Sequence, residues 1–455
     1  MKRRISEMNH LEQVERRSFR TKMGRSRTST CLRLVLVAMA LTLIACFTAR
    51  AQVNSGSTGS DGALDFSTIT ATTNIVIDMH DHPTGIYNYS YVNIPANVTV
   101  TFIPNGNNTP VYWLVQSNCF IAAGATVSVS ANPDWNGILS TSSSSSMAQL
   151  PGPGGFAGGN GGTAATAGQG LGGGNKGSTN DSTIVGGNGS FATIGGVASF
   201  QASSGPMYGN QFLIPLIGGS GGGGNAAGFG GGGGGAILLA ASGTLTLNGT
   251  ISANGSMGGQ AHTAYVSYPT GAGGAGSGGA IRLVASHFDG TGSINAQGGY
   301  PWEYAGDPIN SYGAISQAGS GRIRIDTIDN AFSGTMSGSF TQGYQPIIFP
   351  TAAQGTQLTI TSVGGVPVSA SPSGQIATPD ALLSAQQNNP IPVTVSCANL
   401  PLDTLITVTV RPVDGSPVSA IGYNNTGTQA SSTATISLNM PHGGGIIFAT
   451  AATGN

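Results

Sequence analysis

The chain has 455 residues, of which 74 are Gly, 23 are Pro and only 7% are charged, against roughly a quarter charged in an ordinary soluble domain. Eleven of its sixteen basic residues and three of its seventeen acidic ones fall in positions 1–51, so the remaining 404 residues carry a net charge of −9. No basic patch can be assembled from Lys176, Arg282, Arg322, Arg324 and Arg411 alone, which excludes a nucleic-acid surface, and 39% apolar content excludes charge-driven disorder.

Residues 34–45 (LVLVAMALTLIA) form a 12-residue apolar run behind a basic stretch. The run is shorter than the about 20 residues of a membrane-spanning helix, and no second apolar stretch suggests a span. Ala49-Arg50-Ala51 has the small-x-small form of a signal-peptidase site, predicting a mature start at Gln52. A second reading takes Leu43-Ile44-Ala45-Cys46 as a lipobox, with Cys46 acylated as a lipid anchor. A third takes Arg16-Arg17-Ser18-Phe19 as a twin-arginine signal, although it lies some 17 residues before the apolar core. A start at Met23 instead of Met1 would give a signal of ordinary length. All three readings predict export, to the extracellular space, the outer cell surface or the periplasm.

Asn74–Asp78, Val98–Ile103, Val111–Val115 and Thr126–Ser130 are β-branched or aromatic runs separated by Asn, Gly and Pro, and read as short strands. Positions 141–235 then hold 33 Gly in 95, interrupted by one apolar island, Tyr208–Ile217. An internal repeat follows. Gly235-Ala236-Ile237-Leu238-Leu239-Ala240 returns 44 residues later as Gly279-Ala280-Ile281-Arg282-Leu283-Val284, and after 42 more as Gly321-Arg322-Ile323-Arg324-Ile325-Asp326. A second element trails the first two copies, Thr250–Asn254 and then Ser293–Gln297, and Val111–Ala131 reads as a degenerate earlier copy.

Such a unit cannot bury an apolar face alone. Parallel stacking would align Ile237, Ile281 and Ile323 in one inward column, with Leu239, Leu283 and Ile325 in the next. The prediction is an all-β chain built on a parallel β-solenoid, with the Gly tracts as loops or packed extended chain. Positions 351–455 hold only 11 Gly in 105, and alternation such as Ile406-x-Val408-x-Val410 predicts an immunoglobulin- or fibronectin-like β-sandwich. The expected divisions are a signal peptide (1–51), the solenoid start (52–140), a Gly-rich insertion (141–235), solenoid repeats (236–349) and the sandwich (350–455).

Asp61-Gly62-Ala63-Leu64, Pro110-Val111-Tyr112-Trp113-Leu114, Tyr208-Gly209-Asn210, Leu216-Ile217-Gly218-Gly219-Ser220 and the Gly-Gly-Ala-Ile-x-Leu strands resemble exported, glycine-rich parallel β-helix proteins of soil bacteria such as Acidobacteria. The resemblance covers about residues 60–345. It implies a right-handed, pectin-lyase-like solenoid and an extracellular setting, and carries no activity.

Glycoside hydrolysis usually needs two carboxyl groups flanking the scissile bond, yet Glu303 is the only Glu after the signal. The densest cluster on the repeats is Arg322, Arg324 and Asp326, alternating on the outward face of one strand, with Arg282 stacked one coil away from Arg324. Two stacked guanidiniums, Arg282 and Arg324, could take an acidic sugar carboxylate, or the face could be a solvated one whose arginines pair with Asp326 and Asp289. Asp78, His80 and His82 would share one face of an extended segment and could hold Zn²⁺ or Ca²⁺, although Pro83 and Gly85 mark a turn where polar residues need no ligand. Trp135 and Trp302, with Tyr300 and Tyr304, fall in loops where aromatic rings could stack on sugars or fold back on the flank. No cofactor is expected, since Gly170–Lys176 fails the phosphate-loop pattern and Gly218–Gly222 lacks the strand–turn–helix setting of a nucleophile elbow. The expectation is an exported, non-catalytic surface or matrix protein that contacts polysaccharide or surface proteins. The alternative is a polysaccharide lyase or hydrolase working on the Arg282/Arg324/Asp326 flank.

Overall fold

The structure is a computed structural model that describes residues 53–131, 149–180, 184–198, 200–226, 228–259, 273–300, 316–343, 348, 356–369, 372, 379–413 and 415–451. Among them the chain is all-β, with one 3₁₀ turn (Met79–Asp81) and no α-helix. Two parallel sheets occupy the first three quarters, an arrangement compatible with a β-solenoid.

The first sheet carries the repeat. Strands Ala236–Leu247, Ala280–Asp289 and Arg322–Asn330 lie side by side in parallel. Ile237, Ile281 and Ile323 are register partners, as are Leu239, Leu283 and Ile325. On the other side of Ala236–Leu247, its 12 residues are matched by two shorter strands, Val111–Val115 and Cys119–Ile121. The degenerate copy therefore joins the same ladder, with Val111 opposite Ile237 and Trp113 opposite Leu239.

The second sheet is made of short segments in the order Thr335–Ser337, Ser293–Asn295, Thr250–Ser252, Thr126–Ser128, Val98–Ile103 and Thr73–Asp78, all parallel. Inward residues of both sheets form one buried cluster, including Ile237, Leu239, Ile251, Val127 and Trp113. The first sheet is buried on its other face too, where Leu238, Ala240, Ala280 and Val284 meet Phe191, Leu213 and Leu216. Double burial explains why its strands read as near-continuous apolar runs such as Ala236–Ala241.

The glycine tracts are packed chain. Successive donors in 219–224 turn to different neighbours, two of which are revisited after three residues. Gly219 and Gly222 donate to Gly234 O and Gly231 O (2.7 and 2.9 Å). Gly221 and Gly224 donate to Gln169 O and Thr166 O (3.0 and 2.9 Å). Ser220 donates to Ser277 Oγ (2.8 Å) and Gly223 to Gly187 O (2.8 Å). A neighbour revisited every third residue is the mark of an extended helix with three residues per turn; a β-strand alternates between two sides. The same period recurs where Gly231 and Gly234 donate to Gly274 and Ser277 (2.8 and 2.9 Å). Chains this close leave no room for side chains. A Cβ built on Gly222 would run into the Gly274 carbonyl, and one on Gly158 into that of Gly230.

The last quarter holds a five-stranded and a three-stranded antiparallel sheet. Val393, Val395 and Ile436 from the first share a buried cluster with Ile406, Val408 and Val410 from the second. Cys119 and Cys397 are both buried and unpaired.

Gly222→Ala should destabilise the protein by about 1–3 kcal/mol or more through overpacking. Gly106→Ala, where an added Cβ meets nothing within 4 Å, should leave stability within about 0.5 kcal/mol. Denaturant unfolding of the two variants checks the contrast.

Candidate functional site

The Arg282/Arg324/Asp326 cluster stands on the first sheet, on the face turned away from the Ile237–Ile281–Ile323 column. Strand alternation sets that orientation, and Arg282 and Arg324 are register partners as the repeat predicts. The expectation that this face meets solvent is corrected by the structure. Arg282, Arg324 and Asp326 are 2%, 8% and 1% exposed. Asp326 accepts from both guanidiniums: Arg282 Nη2 lies 3.2 Å from Oδ2, and Arg324 Nη2 and Nε lie 2.7 and 3.0 Å from Oδ1. Arg324 also donates to Gln342 O (3.2 Å). Burial pulls the Arg282 guanidinium below its usual pKa, and the facing Asp326 opposes that shift. Asp289, the other partner expected for this face, pairs with His287 instead.

The apolar island covers the cluster. Phe212 lies under the Arg324 guanidinium at 5.4 Å, and Phe191 under that of Arg322 at 5.5 Å. Arg322 donates to Tyr208 O (2.9 Å), and Thr341 to Gln211 O (2.9 Å). Farther along, Arg411 donates to Leu171 O (3.3 Å) and to Gly173 O, and burial takes its pKa down to about 10. Three of the five basic residues outside the first 51 positions, Arg322, Arg324 and Arg411, are therefore occupied in binding the insertion to the rest of the fold.

Asp78, His80 and His82 do not converge, which corrects the expectation of a shared ligand face. The strand Thr73–Asp78 ends there, and Asp78 caps the 3₁₀ turn by accepting from His80 N at 3.0 Å. His80 Nδ1 lies 2.5 Å from Asp78 Oδ1 on the surface. His82 turns elsewhere, stacking on Tyr87 at 4.1 Å with Nε2 3.7 Å from Asp61 Oδ2. Among the described residues no group of three His, Cys, Asp or Glu side chains is placed to hold a metal ion. Trp135, Trp302, Tyr304 and Cys46 lie outside the described residues, and Tyr300 is exposed. No described helix is long and apolar enough to cross a membrane.

Sequence reasoning missed His287, whose ring lies between two carboxylates: Nδ1 is 2.9 Å from Asp329 Oδ2, and Nε2 is 3.3 Å from Asp289 Oδ2. The 42-residue repeat offset carries that signal, because it places Asp329 beside His287 on the adjacent strand. No family model, no curated protein and no solved structure matches the chain.

Asp326→Asn leaves two buried guanidiniums without their counter-charge and should cost about 3–5 kcal/mol. Chemical denaturation at neutral pH measures the loss. A second prediction concerns Tyr87, whose phenol is pushed up to about 12 by burial, with Asp78, Asp61 and Asp81 adding repulsion. An unfolded tyrosine ionises near ~10, so this group's stabilisation is complete below that pH and is lost as pH rises toward 12. Burial raises Tyr89, Tyr112 and Tyr208 as well, so a tyrosinate absorbance titration should show a late component whose amplitude falls by one tyrosine in Tyr87→Phe.

Proposed function

We propose that the chain is an exported, non-catalytic protein of the cell surface or extracellular matrix, a scaffold or adhesin that touches polysaccharide. In this reading residues 1–51 are removed on export and residues 52–349 form a right-handed parallel β-solenoid carrying the glycine insertion. Residues 350–455 form an immunoglobulin- or fibronectin-like sandwich, for which the core shared by the two antiparallel sheets speaks.

The observation that carries the reading is the burial of the Arg282–Asp326–Arg324 cluster. Its donors are taken up by one carboxylate and a backbone carbonyl, and Phe212 lies over it. The lyase or hydrolase alternative assigned its substrate contacts to these residues, and a substrate would have to displace the island to reach them. A low charge and a backbone held together by hydrogen bonds between distant segments suit a passive extracellular body.

The test is a binding screen of residues 52–455 on immobilised polysaccharides, with reducing ends and unsaturated products read in the same wells. Binding without products is expected. Products that vanish in Arg324→Ala would replace the scaffold reading with an enzyme.

A further inference from the structure

The second parallel sheet carries a regular array on its outward face. Each of five strands sets one apolar residue, Val100, Val127, Ile251, Ile294 or Met336, between two small polar residues. The first four apolar residues are buried and Met336, on the edge strand, is 37% exposed, while the polar residues reach the surface except Ser252, which is 8% exposed. Register turns these into two rows. Thr99, Thr126, Thr250, Ser293 and Thr335 are successive partners in the first. The second contains Ser128, Ser252, Asn295 and Ser337 in register, with Thr101 on the next strand. Neighbouring positions along a row are about 4.8 Å apart, and the two rows about 6.6 Å apart, from strand geometry.

The array is a lattice with two fixed repeats, and its side chains are held in place. Thr250 Oγ1 and Ser293 Oγ are 2.9 Å apart, and Ser252 Oγ donates to Ser128 Oγ at 3.0 Å. β-Branching restricts each Thr at χ1, so little ordering entropy remains to be lost on binding. No residue of either row is ionisable and none is aromatic. A face without charge suits an uncharged ligand, and one without rings lacks the stacking platform that grips sugars. The complementary ligand is a rigid, neutral, two-dimensional array of hydroxyl groups at matching spacing.

We infer that this hydroxyl face binds ice. Oxygen atoms on a prism face of hexagonal ice repeat along one axis at nearly the inter-strand spacing, and along the other at a distance close to that between the rows. The hydroxyls hydrogen-bond to lattice waters while the Thr methyl groups fill the gaps between them. This inference goes beyond the scaffold reading and stands or falls independently of it.

The test grows polycrystalline ice slowly in a dilute solution of the full chain and compares protein in the ice with protein in the liquid. Thermal hysteresis is measured on the same samples. The intact protein is expected to concentrate in the ice and to hold crystal growth below the melting point. Thr250→Tyr and Ser293→Lys, which place bulk or charge at the centre of the face, should bring both readings down to those of a non-binding protein with unfolding temperatures retained. Thr359→Tyr, at an exposed position of the five-stranded sheet, should bind as the intact protein does. Exclusion of the intact protein from ice would overturn the inference whatever the variants do. So would full binding by folded Thr250→Tyr and Ser293→Lys, or retention on microcrystalline cellulose through the same face without partition into ice.

Discussion

The fold depends on backbone hydrogen bonds between segments that are far apart in sequence, made possible by chain that carries no side chains where it must approach closely. Gly235, Gly279 and Gly321 each stand just before a strand of the first sheet and donate to Val129, Ala253 and Ala296 (2.8, 2.7 and 2.7 Å). Each passage of the chain thus contributes a long strand, a short strand and a glycine segment, and all three bond to the passage beside it. This accounts for a protein with so little charge: unpaired peptide groups would be costly when buried, and here they are paired with one another. The few arginines serve the same end. Arg322, Arg324 and Arg411 fasten the insertion to the sheets through carbonyls and aromatic rings.

Much of the stacked core was legible because β-structure writes a period of two into apolar residues. A one-residue slip of Ile237-x-Leu239 against its copies would turn the apolar column outward, and the structure has the unslipped register. Gln357–Val363, Ile391–Ala398, Leu405–Pro412, Ser431–Leu438 and Gly445–Ala451 were readable for the same reason, whereas Val366–Pro367, Val418–Tyr423 and Thr426–Thr428 were not. The glycine tracts were not. A three-residue period exists in their hydrogen bonding, but glycine has no side chain in which a sequence pattern could record it, and the surrounding 33 glycines hide any spacing.

The candidate site failed at a different level. Alternation correctly placed Arg282, Arg324 and Asp326 opposite the apolar column, yet what lies over that face is decided by Tyr208–Leu216, more than sixty residues away in the chain. Composition invites an electrostatic surface there, whereas the geometry makes an interior clasp. The Asp78–His82 group failed locally, because Asp78 caps a 3₁₀ turn and the extended spacing that would align the two imidazoles never forms. The hydroxyl rows were visible as Thr250-Ile251-Ser252 and Ser293-Ile294-Asn295, but only register across five strands turns isolated hydroxyls into an array.

The glycine segments belong to the protected interior of the fold. Native-state amide hydrogen exchange across residues 218–235, compared with the strand Ala280–Asp289, tests it most directly. Gly219, Gly222, Gly231 and Gly234 should exchange as slowly as the strand amides, with no unprotected third in the sequence of donors. Exchange of these glycines at the rate of an open loop, while the strand remains protected, would contradict this.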